Sequence, residues 1–376
     1  MDKKYVQHAA YTLDIDLPTT GILSSLILRV HALTTTTGLA PCPWIKYLIS
    51  SVSVNQAGQA ALNATRPEVF QADYYYKTGK FPRRGFNPLT STATEVIEDI
   101  PILFGEKLVD LDHTIDLSRL NDPKLSVTYD TAATDCAGKV IWDTAEYPKF
   151  DVIAHLIEGA GVPMSKGYHS LRQIESYTPA NSEKRYVELK GGRPVKRLYT
   201  QLDISQPYFG TRHSVDKVKL WGDNEAWVPL DLEVEDWYKT VKDVYGLCDV
   251  EGIVYYAKGG GRLDTCVDGV THLAAEAPFE GLHILRAQRG SARDAALVQI
   301  LISGGELTND VITASYHFRG IAPWTVMPVD MDKMLGMEYL DPKEHAPVFL
   351  EIDHSSGAAG IGGPMRIHIE DLVTTY

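Results

Sequence analysis

Several features are missing from this chain of 376 residues, and each absence removes a class of protein. The four cysteines, Cys42, Cys136, Cys248 and Cys266, show no C-x-x-C spacing. They read as thiols made in a reducing compartment, with no disulfide framework and no zinc ribbon. No apolar run approaches the ~18 residues of a membrane helix. The longest candidate, 22–33, is interrupted by Ser24, Ser25, Arg29 and His31. The first residues, Met1–Tyr5, lead into no apolar stretch, so no secretory signal is expected there. Basic charge is also short: 36 Lys and Arg stand against 49 Asp and Glu, a net charge of −13. Both halves are acidic, which argues against a general nucleic-acid binder, since that needs a basic face for phosphates. The acidic balance favours solubility.

Catalytic signatures are missing too. Gly357–Gly363 imitates a phosphate loop but carries no Lys-Ser/Thr, and no helical pattern follows it. Gly259–Gly261, between Lys258 and Arg262, fits a loop tip equally well. The twelve histidines show neither H-E-x-x-H nor Cys/His metal spacing. Asp353, His354 and Ser355 are adjacent, but a triad draws its members from separate elements. His368 and Asp371 are merely near one another. Acid pairs recur at Asp14/Asp16, Asp110/Asp112, Glu233/Glu235 and Asp330/Asp332. On a strand such a pair shares one face, which suits a metal or glycosidase site but equally the wet side of a sheet. No catalytic, cofactor-binding or metal-ligating residue is assigned, and neither enzymatic activity nor a cofactor is expected.

What is present is period-two alternation. Leu13, Ile15 and Leu17 alternate with Asp14 and Asp16, and the pattern returns at Val52/Val54, Leu125/Val127/Tyr129, Val187/Leu189, Val218/Leu220 and Ile367/Ile369. Such segments are strands with one buried and one wet face. Turn signals separate them at 18–21, 57–58, 121–123, 191–192 and 304–305. Many short strands without regular intervening helices predict an all-β sandwich or barrel. Two segments read as helices. Residues 231–246 place Val234, Trp237, Val241 and Val244 on one stripe and stop at Gly246; residues 66–79 open with Pro67 and stop at Gly79.

The chain also repeats. Ile15, Leu17, Leu26 and Val30 match Val187, Leu189, Leu198 and Leu202; Ile49, Val52 and Val54 match Val215, Val218 and Leu220; the two helices follow; Leu125, Val127 and Tyr129 match Val298, Ile300 and Ile302. The blocks keep one order at offsets of roughly 170 residues. The expected boundary lies at Asn181–Lys184, giving two β domains, 1–183 and 184–376.

Two segments are candidates for subunit contacts. Tyr74–Phe86 interleaves Lys77, Lys80, Arg83 and Arg84 with five aromatic residues, a composition open to a contact surface or solvated loop, to single-stranded nucleic acid and to lipid headgroups. Met327, Met331, Met334 and Met337 surround Asp330 and Asp332, either filling core or forming an adaptable surface. A second basic stretch, 184–197, straddles the expected boundary.

Two β domains in tandem, each with about eight strands and a short helix, resemble the double-jelly-roll major capsid proteins of the tectivirus–adenovirus lineage. The carriers are the repeat blocks at 13–54 and 187–220, the helices ending at Gly79 and Gly246, and the strand-and-loop run Ile100–Gly105 and Ile115–Val127. The resemblance implies two eight-stranded antiparallel jelly rolls with short helices in loops. It further implies a homotrimeric capsomer of hexagonal outline in an icosahedral shell, found in the virion and assembled in the host cytoplasm. Neighbouring capsomers, minor capsid or vertex proteins and an internal membrane are the further partners it suggests, without sequence-specific nucleic acid. A strongly basic N-terminal arm and a C-terminal membrane helix, present in some members, are not seen in this sequence. The alternative is a secreted tandem jelly-roll carbohydrate-active protein, a glycan amidase or lectin.

Overall fold

The computed structural model describes residues 2–3, 11–33, 45–57, 61–83, 95–130, 148–157, 165–190, 192–203, 211–256, 261–264, 267–268, 272–276, 283–289, 296–302, 312–361 and 363–374. The first half contains β1 (Asp2–Lys3), β2 (Tyr11–Asp16), β3 (Ile22–Leu33), β4 (Ile49–Asn55), β5 (Asn63–Thr65), β6 (Glu95–Leu103), a two-residue β7 (Ile115–Asp116) beside β3, β8 (Lys124–Tyr129) and β9 (Lys149–Ile157). They form two sheets, β1-β9-β3-β6 and β2-β8-β4-β5, antiparallel throughout. Alternation does what the sequence implies: Leu125, Val127 and Tyr129 point into the core while Lys124, Ser126 and Thr128 do not.

The second half runs β10 (Tyr168–Tyr177), β11 (Lys184–Glu188), β12 (Val195–Leu202), β13 (Val215–Gly222) and β14 (Trp227–Glu233). An insertion follows, with β15 (Cys248–Tyr256), β16 (Gly261–Asp264), β17 (Val267–Asp268), β18 (His272–Glu276), β19 (His283–Arg289), β20 (Ala296–Ile302), β21 (Ile312–Gly320) and β22 (Ala322–Pro323). The chain then returns through β23 (Val326–Asp330), β24 (Phe349–His354) and β25 (Met365–Val373). Outside the insertion the sheets are β10-β25-β12-β23 and β11-β24-β13-β14.

Setting aside β7 and the insertion, each half has eight strands. Counted along the chain, each half pairs its first, eighth, third and sixth strands in one sheet, and its second, seventh, fourth and fifth in the other. That order is the jelly roll, and the chain contains it twice. Tyr168–Tyr177 lies on the first side of the boundary expected at 183, yet it is hydrogen-bonded along its length to the last strand: Tyr168 faces Val373 and Tyr177 faces Met365. The second roll therefore begins ahead of residue 184. The repeat at β2/β11, β3/β12 and β4/β13 matches the topology. The match of Leu125–Tyr129 to Val298–Ile302 does not: β20 belongs to the insertion, and the counterpart of β8 is β24, where Leu350 and Ile352 are buried. Hydrophobic alternation marks any half-buried strand, so it carries no label for sheet position.

One parallel pair, Ala64 with Arg172, joins β5 to β10, making a continuous sheet β2-β8-β4-β5-β10-β25-β12-β23 across both rolls. The helices are α1 (Ile45–Leu48), α2 (Pro67–Thr78), α3 (Thr211–Ser214) and α4 (Val234–Tyr245). α2 and α4 each follow the fifth strand of their roll. Gly79 and Gly246, at φ 71° and 78°, close them with N–H bonds to the carbonyls of Tyr75 and Lys242. α4 is amphipathic as expected: Val234, Trp237, Tyr238 and Val241 are buried, and Glu235, Asp236, Lys239, Lys242 and Asp243 face solvent. α2 is not, because almost every side chain on it is covered.

Candidate assembly site: a buried charge network between the rolls

The sheet β10-β25-β12-β23 turns two different faces to its surroundings. Leu198, Leu202, Met365, Ile367 and Ile369 fill the second roll's core. The alternate residues Arg197, Tyr199, Gln201, His368 and Glu370 are polar and equally buried, because α2 of the first roll lies against them. Asp73 on α2 accepts from Tyr199 Oη at 2.7 Å. Lys77, one helical turn on, contacts Asp73 Oδ2 at 2.9 Å and Glu370 Oε1 at 2.5 Å. Gln201 donates to Glu68 at 3.3 Å, His368 is 2.9 Å from Thr65 Oγ1, and Tyr76 Oη donates to the Val326 carbonyl at 2.6 Å.

Arg197 is the hub. It is fully buried and reaches Asp330 Oδ2 at 2.7 Å, Glu370 Oε2 at 2.9 Å and Glu106 Oε2 at 2.7 Å. Asp330 also accepts from Tyr245 Oη at 2.6 Å and from the backbone N–H groups of Asp332 and Lys333. Buried charges survive only when paired and hydrogen-bonded, and here four carboxylates share two fully buried cations. Burial alone would raise Glu370, but Lys77 and Arg197 outweigh it and hold its carboxyl well below the ordinary range. The same balance lowers Glu106, and Arg197 with the Tyr245 hydroxyl lowers Asp330 against its burial. Asp73 goes the other way: burial dominates, Lys77 offsets only part of it, and its pKa is pushed up to about 6. Burial depresses His169, which lies 3.1 Å from Glu370 Oε1.

Glu106, His169 and Glu370 bring potential ligand atoms within 4.8 Å of one another. Lys77 and Arg197 already neutralise those carboxylates, so the donor set does not fit a cation: an added divalent ion would stand against two fixed positive charges.

Much of Tyr74–Phe86 is therefore not a surface patch. Tyr75, Tyr76 and Lys77 are buried between the rolls, Phe81 packs on the core, and only Lys80 and Arg83 among the described basic residues are exposed. Arg84, Gly85 and Phe86 lie outside the described residues. The Met segment fills core: Met327, on the fully buried strand β23, and Met331 are buried, and Met334 and Met337, partly covered, pack against the core. The basic stretch 184–197 is paired within the chain, Lys196 and Arg197 in the interior and the other four at the surface. Lys184 pairs with Glu351 and Asp353, Arg185 with Glu175, Lys190 with Glu188, Arg193 with Asp371, Lys196 with Asp332, and Arg197 as above.

The remaining candidates divide by burial. Asp14 and Asp16 are on the wet side of β2, and Glu233 and Glu235 are exposed at the start of α4. Asp110 is buried and organises its loop, accepting from the N–H groups of Glu106, Asp112 and His113. His354 sits between Tyr177 Oη (2.9 Å) and the Ser214 carbonyl (2.8 Å), and Ser355 donates to the His213 carbonyl. Asp371 pairs with Arg172 at 2.9 Å, away from His368, whose pKa burial lowers to about 3. Residues 358–361 form a short helical turn, and Gly261 opens β16. Cys248 is buried, with its Sγ 3.5 Å from the Ile321 carbonyl; Cys42, Cys136 and Cys266 lie outside the described residues. Sequence reasoning missed the network because its members lie as far apart as Lys77 and Glu370. Its one local trace is the helix 67–78, which carries Glu68, Gln71, Asp73 and Lys77 without an apolar stripe.

No family model and no curated protein matches the sequence. Solved structures do. The major capsid protein (MCP) of STIV, Sulfolobus Turreted Icosahedral Virus, aligns with a TM-score of 0.62 at 11% identity, over 100% of this chain and 96% of that one. The major capsid protein P2 of bacteriophage PM2 aligns at 0.52 and 11% identity, over 99% and 94%. A chain of the PBCV-1 virus capsid aligns at 0.52 and 8%, over 98% and 91%. At such identities the likeness speaks for the fold, and the fold is the double jelly roll of these major capsid proteins.

Proposed function

We propose that this chain is a viral major capsid protein whose trimers, six jelly rolls in a hexagonal outline, tile an icosahedral shell. The observation that carries the reading is the identical strand order of the two rolls, within a chain that overlaps known capsid subunits from end to end. Two similar rolls held rigidly side by side give three chains six comparable sides, and closed cyclic symmetry is the usual outcome for homo-oligomers. The division of labour is one roll on each side of 158–167, the connection between β9 and β10, rather than at 183. Subunit contacts of a shell should bury more than ~2,000 Å² per interface.

The role is structural rather than enzymatic. Neighbouring capsomers, minor capsid or vertex proteins and an internal membrane are further partners under this reading, with no sequence-specific nucleic acid. The protein is assembled in the host cytoplasm and resides in the virion. No helix among the described residues is long and apolar enough to cross a membrane. Light scattering on purified protein should return about three times the chain mass of 41.6 kDa, and negative-stain microscopy should show hexagonal particles. A monomer at micromolar concentration that never assembles as salt and crowding are varied would overturn the proposal.

A further inference from the structure

The junction between the rolls is built in two ways. Toward the end of α2 its charges meet countercharges: Lys77 touches Asp73 and Glu370, and Arg197 touches Glu106, Asp330 and Glu370. Toward the start of α2 the polar groups are as deeply buried but outnumber their protein partners. Asn63 on β5, Glu68 and Gln71 on α2, Gln201 on β12 and His368 on β25 are each 2% exposed or less. Asn63 Nδ2, Glu68 Oε2, Gln71 Oε1, Gln201 Oε1 and His368 Nε2 have no hydrogen-bond partner among the described residues.

The five residues belong together. Thr65, on the same face of β5 as Asn63, meets His368 Nδ1 at 2.9 Å, and Gln201 donates to Glu68 Oε1 at 3.3 Å. Glu68 and Gln71 are three apart on α2, hence neighbours on its surface. Tyr199 faces His368 and Gln201 faces Arg366, so Gln201 and His368 are diagonal neighbours on one side of the sheet. Reversing the amides does not supply the missing partners. Asn63 Oδ1 already accepts the Leu171 N–H, so its NH2 is the group left over. Gln71 Nε2 donates to Glu98 Oε1 at 2.7 Å and to the Asp99 carbonyl at 3.1 Å, and Gln201 Nε2 faces a carboxylate; either amide reversed would set oxygen against oxygen. A buried group that leaves water without gaining a partner bears its full desolvation penalty. Buried polar atoms in folded proteins are accordingly met by protein or by ordered water.

We infer that this half of the junction is a hydrated seam, in which ordered water molecules bridge Glu68 and Gln71 of the first roll to Gln201 and His368 of the second. The mixed chemistry of the site selects water over a cation. Asn63 brings a donor, and the Arg66 guanidinium already stands on Glu68 at 2.9 Å, whereas a water molecule both donates and accepts. Arg66 and Arg366, the charges that flank His368, are partly exposed, which gives solvent a way in. The two halves of the junction then act differently. Ion pairs fix the rolls at one end; at the other, water carries hydrogen bonds across a polar gap that the side chains do not close by themselves.

A crystal structure of the full-length protein, at a resolution that orders solvent, is the direct test. Solvent peaks should lie about 2.7–3.2 Å from Glu68 Oε2, Gln71 Oε1, Gln201 Oε1 and His368 Nε2, with at least one peak touching both rolls. Crystals grown in rubidium chloride should show no anomalous peak among these residues. Side chains rearranged to bond one another with no solvent between them, or a rubidium peak, would overturn the inference. In solution, Gln201→Met removes one of the orphaned oxygens. With a wet seam the variant should melt below the wild type, because the bridging water loses a partner and Glu68 a donor. A variant that melts above the wild type would mean that the oxygen was buried dry, and the inference would fall.

Discussion

Lys77 Nζ, on the helix between the fifth and sixth strands of the first jelly roll, lies 2.5 Å from Glu370 Oε1 on the last strand of the second, and both side chains are fully buried. The pair ties together parts of the chain that are distant in sequence. It makes the relative placement of the two rolls a matter of specific charge geometry rather than of apolar contact alone. An apolar junction of the same area could slide; a buried carboxylate that has lost its cation has nowhere to be solvated.

Lys77→Met should therefore be among the most destabilising single changes in the protein. It leaves Asp73 and Glu370 buried with one cation fewer, and breaking a buried pair from one side costs about 3–5 kcal/mol. Adding Glu370→Gln should recover part of that loss, because the stranded charge is then removed. Chemical denaturation of the two variants against the wild type measures both effects. Equal stability of Lys77→Met and wild type would show that the junction does not depend on the pair.

Asp73 gives the network a pH signature with a definite sign. Its folded pKa, about 6, lies above the ordinary aspartate value of about 3.9. The folded state therefore holds this proton more tightly, and the contribution of Asp73 to stability rises as pH falls from about 6 to about 4. His169, depressed by burial, acts in the opposite sense, since the unfolded chain takes its proton first as pH falls through about 6.5. The clean observable is the difference between wild type and Asp73→Asn, which should shift in favour of the wild type over pH 7 to 4. Further acidification protonates Glu370 and Glu106, which Lys77 and Arg197 hold low, and Asp330, which Arg197 and Tyr245 hold low, and the wild type should then lose stability. Unfolding curves at half-unit pH steps report this; a difference that is flat in pH would contradict the assignment.

The insertion after α4 should be separable from the second roll. Its stem is the antiparallel ladder from Cys248–Gly320 to Tyr256–Ile312. Replacing residues 257–311 by Asn-Gly closes that ladder as a two-residue hairpin and leaves Cys248, Ile321 and Trp324 in the core. The shortened chain should fold, melt within about 4 °C of the wild type and give by light scattering the same number of chains per particle as the wild type. Loss of folding would mean that the insertion carries core of its own for the second roll.

The sequence by itself determined the strands and the two long helices. Leu13/Ile15, Val52/Val54 and Leu125/Val127 show their buried faces through period-two alternation, and Trp237 and Val241 show theirs through the helical stripe of α4. It also carried the repeat, because equivalent strands β2/β11, β3/β12 and β4/β13 need the same apolar spacing. Only the tertiary structure decided where one roll ends and the next begins. Tyr168–Tyr177 shows no period-two alternation, with Tyr168, Leu171, Ile174 and Tyr177 at every third position, and its allegiance is set by hydrogen bonds to β25, made across nearly two hundred residues of chain. The fate of the charges was likewise beyond local reading. Lys77, Asp73 and Arg197 look like ordinary solvated residues in the linear chain, and they are buried only because α2 lies against β12 and β25, where each finds a partner from another element. Alternation reports how a segment meets water, which is a local property; pairing between distant charges depends on which surfaces the fold brings together.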